Sequence, residues 1–194
     1  MKGSFGGAGL VLAAGRSARM GRPKALLPYG TGSFLTTILD RIRPLGLPYL
    51  AVVTSPELAG ELTGFQTIVN PEPEAGQLSS LQLGLRAAGE GCPWVLVALV
   101  DHPAVSATTY RALAAAAEAG GAHLWVPRYD GRRGHPLVYG SPCYADIRAA
   151  PLDQGARWVV ARHRSERREV PVEDPEILRD VDTPEAYEAL LRET

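Results

Sequence analysis

Five runs of this chain are apolar almost without a break: Gly9–Ala14, Tyr49–Thr54, Gln66–Val69, Trp94–Val100 and His123–Pro127. A run with no polar alternation has no face to offer water, so it reads as a strand covered on both sides. The intervening segments carry the helical period instead. Phe34, Leu35, Ile38, Leu39 and Ile42 recur at three- and four-residue steps, as do Leu78, Leu81, Leu85 and Ala88. The alanine-rich stretch Thr108–Ala119 runs into Gly120–Gly121, a helix stop. This alternation predicts an α/β fold: a three-layer α/β/α sandwich around a mostly parallel, Rossmann-like sheet.

The second half is less regular. "PRYDGRRGHPLVYG" (Pro127–Gly140) reads as two strands about an Asp130–Gly131 turn, a hairpin insertion. Helical stretches follow at Pro142–Ala149 and Gln154–His163, then a strand near Arg168–Val172. A terminal helix follows "DVDTPEAY", with Thr183 as N-cap and Pro184 in its first turn. No repeat, low-complexity tract or linker divides the 194 residues, so the chain reads as one domain.

Lys and Arg number 20 against 21 Asp and Glu, a formal charge of -1 that argues against general nucleic-acid binding. No apolar run approaches the ~20 residues of a membrane helix, and "MKGSFGGAG" lacks the apolar centre of a signal peptide. Cys92 and Cys143 have no metal-ligand spacing and read as a buried pair of reduced thiols. A cytoplasmic protein with no membrane contact is expected.

The stretch "LVLAAGRSARMGRPKALLPYG" (Leu10–Gly30) concentrates Gly15, Gly21, Arg16, Arg19, Arg22 and Lys24 directly after the first strand. It is not a Walker A loop: five residues separate Gly15 from Gly21, and Ala25 follows the lysine. Nor does it contain G-x-G-x-x-G. Glycines that expose backbone N–H groups, beside Arg and Lys, still suit a strongly anionic ligand at the carboxyl end of a strand. On composition alone a solvated surface turn fits equally well.

"LAAGRSARMGRPKALLP" resembles the signature of the nucleotidyltransferases related to the molybdenum-cofactor cytidylyl- and guanylyltransferases, a MobA-like branch of the nucleotide-diphospho-sugar transferase superfamily. The resemblance continues at "EAGQLSSLQLGL", "VDHPAV", "RRGHPLVY" and "DVDTPEAY", in family order along nearly the whole chain. It implies that Leu12, Ala13, Ala14, Gly15, Arg16 and Gly21 wrap a nucleoside triphosphate and that Lys24 meets its phosphates. It also divides the chain into a nucleotide-binding half (8–105) and an acceptor-binding half (106–194).

Asp101 closes the buried run "WVLVALVD", where a carboxylate is costly unless a cation or donor meets it. Mg²⁺ suits the position, since it bridges carboxylate and phosphate oxygens. Capping of the next helix falls to Ser106 instead. The family usually has Gly before this aspartate, where this chain has Val100. Asp182 is a second candidate metal ligand, and capping of the last helix is its equal competitor. Asn70, Gly76 and Ser80 are candidate nucleotide contacts, with local turn and cap roles as alternatives; "GQLSS" departs from the family's usual "GMSSSL". His135 borders the second substrate in the resemblance and otherwise braces its loop. Arg162, His163, Arg164, Arg167 and Arg168 read as a solvated face, with attraction of a phosphorylated substrate by their long-range field as the alternative.

The resemblance thus implies a Mg²⁺-dependent enzyme that moves a nucleoside monophosphate onto a phosphorylated acceptor and releases pyrophosphate, with Arg16, Lys24 and Asp101 as the catalytic set. Ala14 in "LAAG" resembles the CTP-using members, and molybdopterin is the expected acceptor, with a molybdoenzyme or chaperone as candidate partner. A guanylyltransferase, a sugar-phosphate nucleotidyltransferase, and a non-catalytic nucleotide-binding or cofactor-chaperone module stand as alternatives.

Overall fold

Strand β1 (Ala8–Ala13) is buried at every position and lies at the middle of the sheet. It runs parallel to β4 (Tyr49–Thr54) on one side and to β6 (Trp94–Leu99) on the other. The computed structural model describes residues 5–15, 17, 20–89 and 91–193. Beyond β4 lies β5 (Gln66–Val69), again parallel. On the other flank β9 (Leu137–Gly140) pairs antiparallel with β6 and with β7 (Leu124–Tyr129), and β10 (Arg167–Pro171) runs parallel to β7 at the edge. The order is β10-β7-β9-β6-β1-β4-β5, a mostly parallel Rossmann-like sheet. A two-stranded ribbon, β2 (Pro28–Tyr29) with β3 (Gly32–Ser33), stands apart from it.

Two cores cover the faces. On one, Val11, Val52, Leu96 and Ala98 pack against α1 (Phe34–Ile42) and α4 (Ala107–Glu118). On the other, Leu10, Leu12, Val53 and Val97 meet α3 (Gln77–Ala88) and α5 (Tyr144–Ala149). Each fully buried aliphatic side chain contributes roughly 1.5–3 kcal/mol of transfer free energy. α2 (Pro56–Ala59), α6 (Arg157–Arg162) and α7 (Pro184–Arg192) complete the set. Ser33 and Thr36 form a reciprocal capping box that starts α1, and Ser106 caps α4 by accepting from Thr109 N at 3.2 Å.

The return arm of the hairpin is split. Asp130 and Gly131 turn the chain with positive φ, and β8 (Arg132–Arg133) pairs briefly with β7. The chain then leaves that ladder at Gly134 and re-enters as β9, between β7 and β6. Val138 and Tyr139 have no polar alternation to hold them at a surface, so they enter the main sheet. Cys143 is buried and Cys92 only half-buried; both are free thiols. No described helix is long and apolar enough to cross a membrane.

Candidate active site

Because β1, β4, β5 and β6 run the same way, the loops after them share one edge of the sheet, where open α/β folds bind ligands. Val100 N donates to Leu12 O at 3.1 Å and ties the ends of β6 and β1 together. The loop after β1 returns upon itself: Ser17, at φ 49°, accepts from Lys24 N at 3.0 Å, and its hydroxyl lies 3.4 Å from Gly15 O. That closure swings Lys24 back over the strand ends. A cleft of about 190 Å³ results, lined by Leu12, Ala14, Gly15, Lys24, Ser80 and Asp101 among others.

Asp101 is the acidic wall of this cleft. Its Oδ1 is buried with no hydrogen-bond partner among the described residues, and His102 Nε2 is 4.0 Å away. Burial pushes the Asp101 carboxyl above its ordinary range, against the opposing pull of His102 and Lys24. An orphaned buried oxygen of this kind suits a hard divalent cation. The carboxylate's position is fixed from several directions. Val181 N donates to Asp101 O at 2.8 Å and draws the segment before α7 against it. Arg41 on α1 donates to the carbonyls of Pro103 and Val105. Asp174, 5% exposed, accepts from Ser106 N at 2.9 Å and Thr109 Oγ1 at 2.6 Å.

The same tether brings Asp182 to the site, where it forms an ion pair with Lys24 Nζ. Thr183, not Asp182, caps α7, accepting from Ala186 N at 3.3 Å. The competing cap role for Asp182 therefore falls away. His135 stands across a second hollow of about 430 Å³ that also touches Asp101, Asp180 and Asp182. Its ring lies 5.2 Å from that of His102, and its Nδ1 is buried without a partner among the described residues. Burial, then His102, lowers its pKa to about 4, so the ring is neutral near pH 7.

The remaining expected contacts separate. Gly76, at φ 91°, is the N-cap of α3 and lies on the cleft, so the first-turn N–H groups of that helix face it. Asn70, 1% exposed, donates to Ser79 Oγ at 2.9 Å and Ser80 Oγ at 3.0 Å and accepts from Glu72 N. Its amide braces the serines from behind, and only Ser80 lines the cleft. Ala13 packs into the core on the far face, and Gly21 sits outside the cleft in an exposed turn. Arg16 and Arg19 lie outside the described residues.

A larger cavity of about 1160 Å³ continues from Gln77 and His135 between β9 and α6, lined by Arg133, Tyr139, Arg157, Trp158 and Arg167. The basic cluster is thereby corrected. Arg167 turns inward with its Nε buried, and His163 is 8% exposed, while Arg162, Arg164 and Arg168 stay at the surface. His102, Arg41 and Asp174 were not singled out from sequence. Adjacency to Asp101 was a signal for the first; the other two act across 60 or more residues, and no local pattern marks them.

A family model for the MobA-like NTP transferase domain matches residues 9–168. A molybdenum cofactor guanylyltransferase of Mesorhizobium japonicum is 34% identical over 172 residues, 80% of this chain and 79% of that protein. The purine catabolism protein PucB of Bacillus subtilis is 30% identical over 203 residues, 95% of each. Among solved structures, Rv0371c of Mycobacterium tuberculosis superposes with a TM-score of 0.85 at 29% identity, covering 98% of this chain and 99% of that one. Its complex with manganese gives 0.81 at 27% identity, covering 96% and 98%.

Proposed function

We propose a reaction from one premise: the chain belongs to the MobA-like NTP transferase family. It is a nucleotidyltransferase, and the proposed reaction moves CMP from CTP to a phosphate of molybdopterin. An acceptor phosphate oxygen attacks the α-phosphorus in line, the bond from that phosphorus to the β-phosphate oxygen breaks, and pyrophosphate leaves. The observation that carries this reading is the placement of the Lys24 amine and the Asp101 carboxylate on one small cleft at the carboxyl edge of the sheet.

Each group has a task. The N–H groups at the start of α3 and the backbone at Gly15 favour a polyphosphate. Lys24 is held in place by Asp182, and on triphosphate binding it trades part of that pairing for phosphate oxygens, where it balances charge growing on the leaving group. Asp101 and Asp182 would hold a divalent cation such as Mg²⁺, which neutralises phosphate charge and fixes the triphosphate. Most of the rate then comes from position and electrostatics, because the acceptor brings its own nucleophile.

The halves divide the work: residues 8–105 take the nucleotide and 106–194 the acceptor. The larger cavity sets an aromatic face, Trp158, beside Arg133, Arg157 and Arg167. That combination suits a planar heterocycle bearing a phosphate. CTP is favoured by Ala14 in the first loop; the relatives reported above leave GTP as the direct competitor. Incubation with each of the four NTPs, Mg²⁺ and molybdopterin, read as pyrophosphate release, tests the assignment. CTP-dependent release that requires molybdopterin is expected. No release with any triphosphate overturns it, and release with GTP alone corrects the nucleotide.

A further inference from the structure

At the edge of the sheet opposite Asp101, three potential metal ligands converge from two segments. His123 immediately precedes β7, His163 ends α6, and Glu166 lies in the turn entering β10. One ligand atom from each falls within 4.8 Å of the others. The two imidazole Nδ1 atoms are 3.2 Å apart. Bonds of about 2.0–2.1 Å at a tetrahedral angle place two nitrogen ligands about 3.3 Å apart, so the pair already has the spacing of one coordination edge.

The surrounding hydrogen bonds set the ring chemistry. Asp146 Oδ2 lies 2.9 Å from His163 Nε2, while its Oδ1 accepts from Arg162 Nε at 3.1 Å. A carboxylate can only accept, so His163 Nε2 carries the proton and, in the neutral ring, its Nδ1 accepts from His123 Nδ1–H; a bound ion would replace that hydrogen, with His123 in the tautomer that carries its proton on Nε2. This is the carboxylate–histidine arrangement that orients an imidazole on a metal. Glu166 is exposed and accepts from Ser165 Oγ through Oε1 at 2.7 Å. Cys143 Sγ is occupied with His123 O at 3.1 Å. His123 N donates to Glu166 O at 2.9 Å, so the backbone fixes both segments in register.

We propose that His123, His163 and Glu166 bind one transition-metal ion of the Zn²⁺ class, with Asp146 orienting His163. Two imidazoles and a carboxylate match that ion's preferences, with water as the fourth ligand. The ion is a clasp rather than a second reaction centre. It fastens the entries of β7 and β10 and the end of α6, whose other residues Arg157 and Trp158 wall the large cavity. The site shares no residue with the cleft at Asp101.

The test uses the purified full chain, stripped by chelator and titrated with Co²⁺ and then Zn²⁺. One equivalent of Co²⁺ is expected to give tetrahedral d–d bands that Zn²⁺ abolishes, and Asp101→Asn is expected to keep them. His123→Asn should remove the bands; Glu166→Gln and Asp146→Asn should each weaken affinity by about 10- to 100-fold. Zn²⁺ should raise the melting temperature of the wild type and not of His123→Asn. Because His163 is buried, the decision rests on the more accessible His123 and Glu166. Absence of the bands in the wild type at micromolar metal overturns the proposal, as does unchanged affinity in both variants.

Discussion

Asp101 is caught between two demands. Burial favours its neutral form, and the proposed chemistry needs it charged. A cation alone resolves both, so Asp101→Asn, nearly isosteric, should remove about 10²–10³ of turnover while nucleotide affinity falls much less. Parallel pyrophosphate-release and calorimetric titrations check this; equal loss in both would make the residue a binding group only. His135 gives a pH signature. Its pKa of about 4 in the fold lies below the ordinary 6.5 of the unfolded chain, so between those values the unfolded state binds the extra proton. The stability is present in full above pH 6.5 and is lost as pH falls toward 4, by on the order of 3 kcal/mol. Denaturant melts of wild type and His135→Gln across that window should converge toward low pH; a constant offset would contradict the assignment. Asp101 was legible because a carboxylate that ends "WVLVALVD" has no apolar excuse. Asn70 was not, because the sequence does not say which side of a loop a buried amide braces.

The elements around the site are held by close approaches. α3 can lay its N-terminus on the cleft because Gly84 lets it sit against β1 and β4; a Cβ there would stand 2.7 Å from Leu10 Cδ1. Gly84→Val should cost about 1–3 kcal/mol of stability by overpacking, measured by chemical denaturation. The loop after β6 depends on Asp174, and Asp174→Ala leaves Ser106 N and Thr109 without their acceptor. A loss of about 1–3 kcal/mol is expected, with turnover falling more than nucleotide affinity as Asp101 loosens. The helices and parallel strands were readable from apolar period alone, since two-sided burial leaves no polar alternation. The splitting of the hairpin was not. It is decided at Gly134, where a Cβ would meet Ile177 O at 2.0 Å, so only glycine lets the segment at 175–178 cross over it. That contact joins residues far apart in the chain, and no local pattern announces it.

In the whole molecule, one strand direction gathers the chemistry. Four parallel strands bring the loop after β1, the Asn70 brace, the α3 terminus and Asp101 to a common edge, and the C-terminal segment crosses back to add Asp182. The trench continues past His135 into the cavity lined by Trp158, so in the proposed reaction donor and acceptor would lie side by side along a single rim. A chelator should therefore abolish turnover without unfolding the sheet, as seen by pairing activity with circular dichroism. The account turns on Lys24 and Asp101 gripping the same polyphosphate, and the most direct measurement is pyrophosphate release across a double-mutant cycle of Lys24→Met and Asp101→Asn. Each single change should cost about 10²–10³, and the double change little more than the worse single, as groups acting as one unit behave. Costs that multiply, or either single variant with unchanged turnover, would show that the two residues do not share a task.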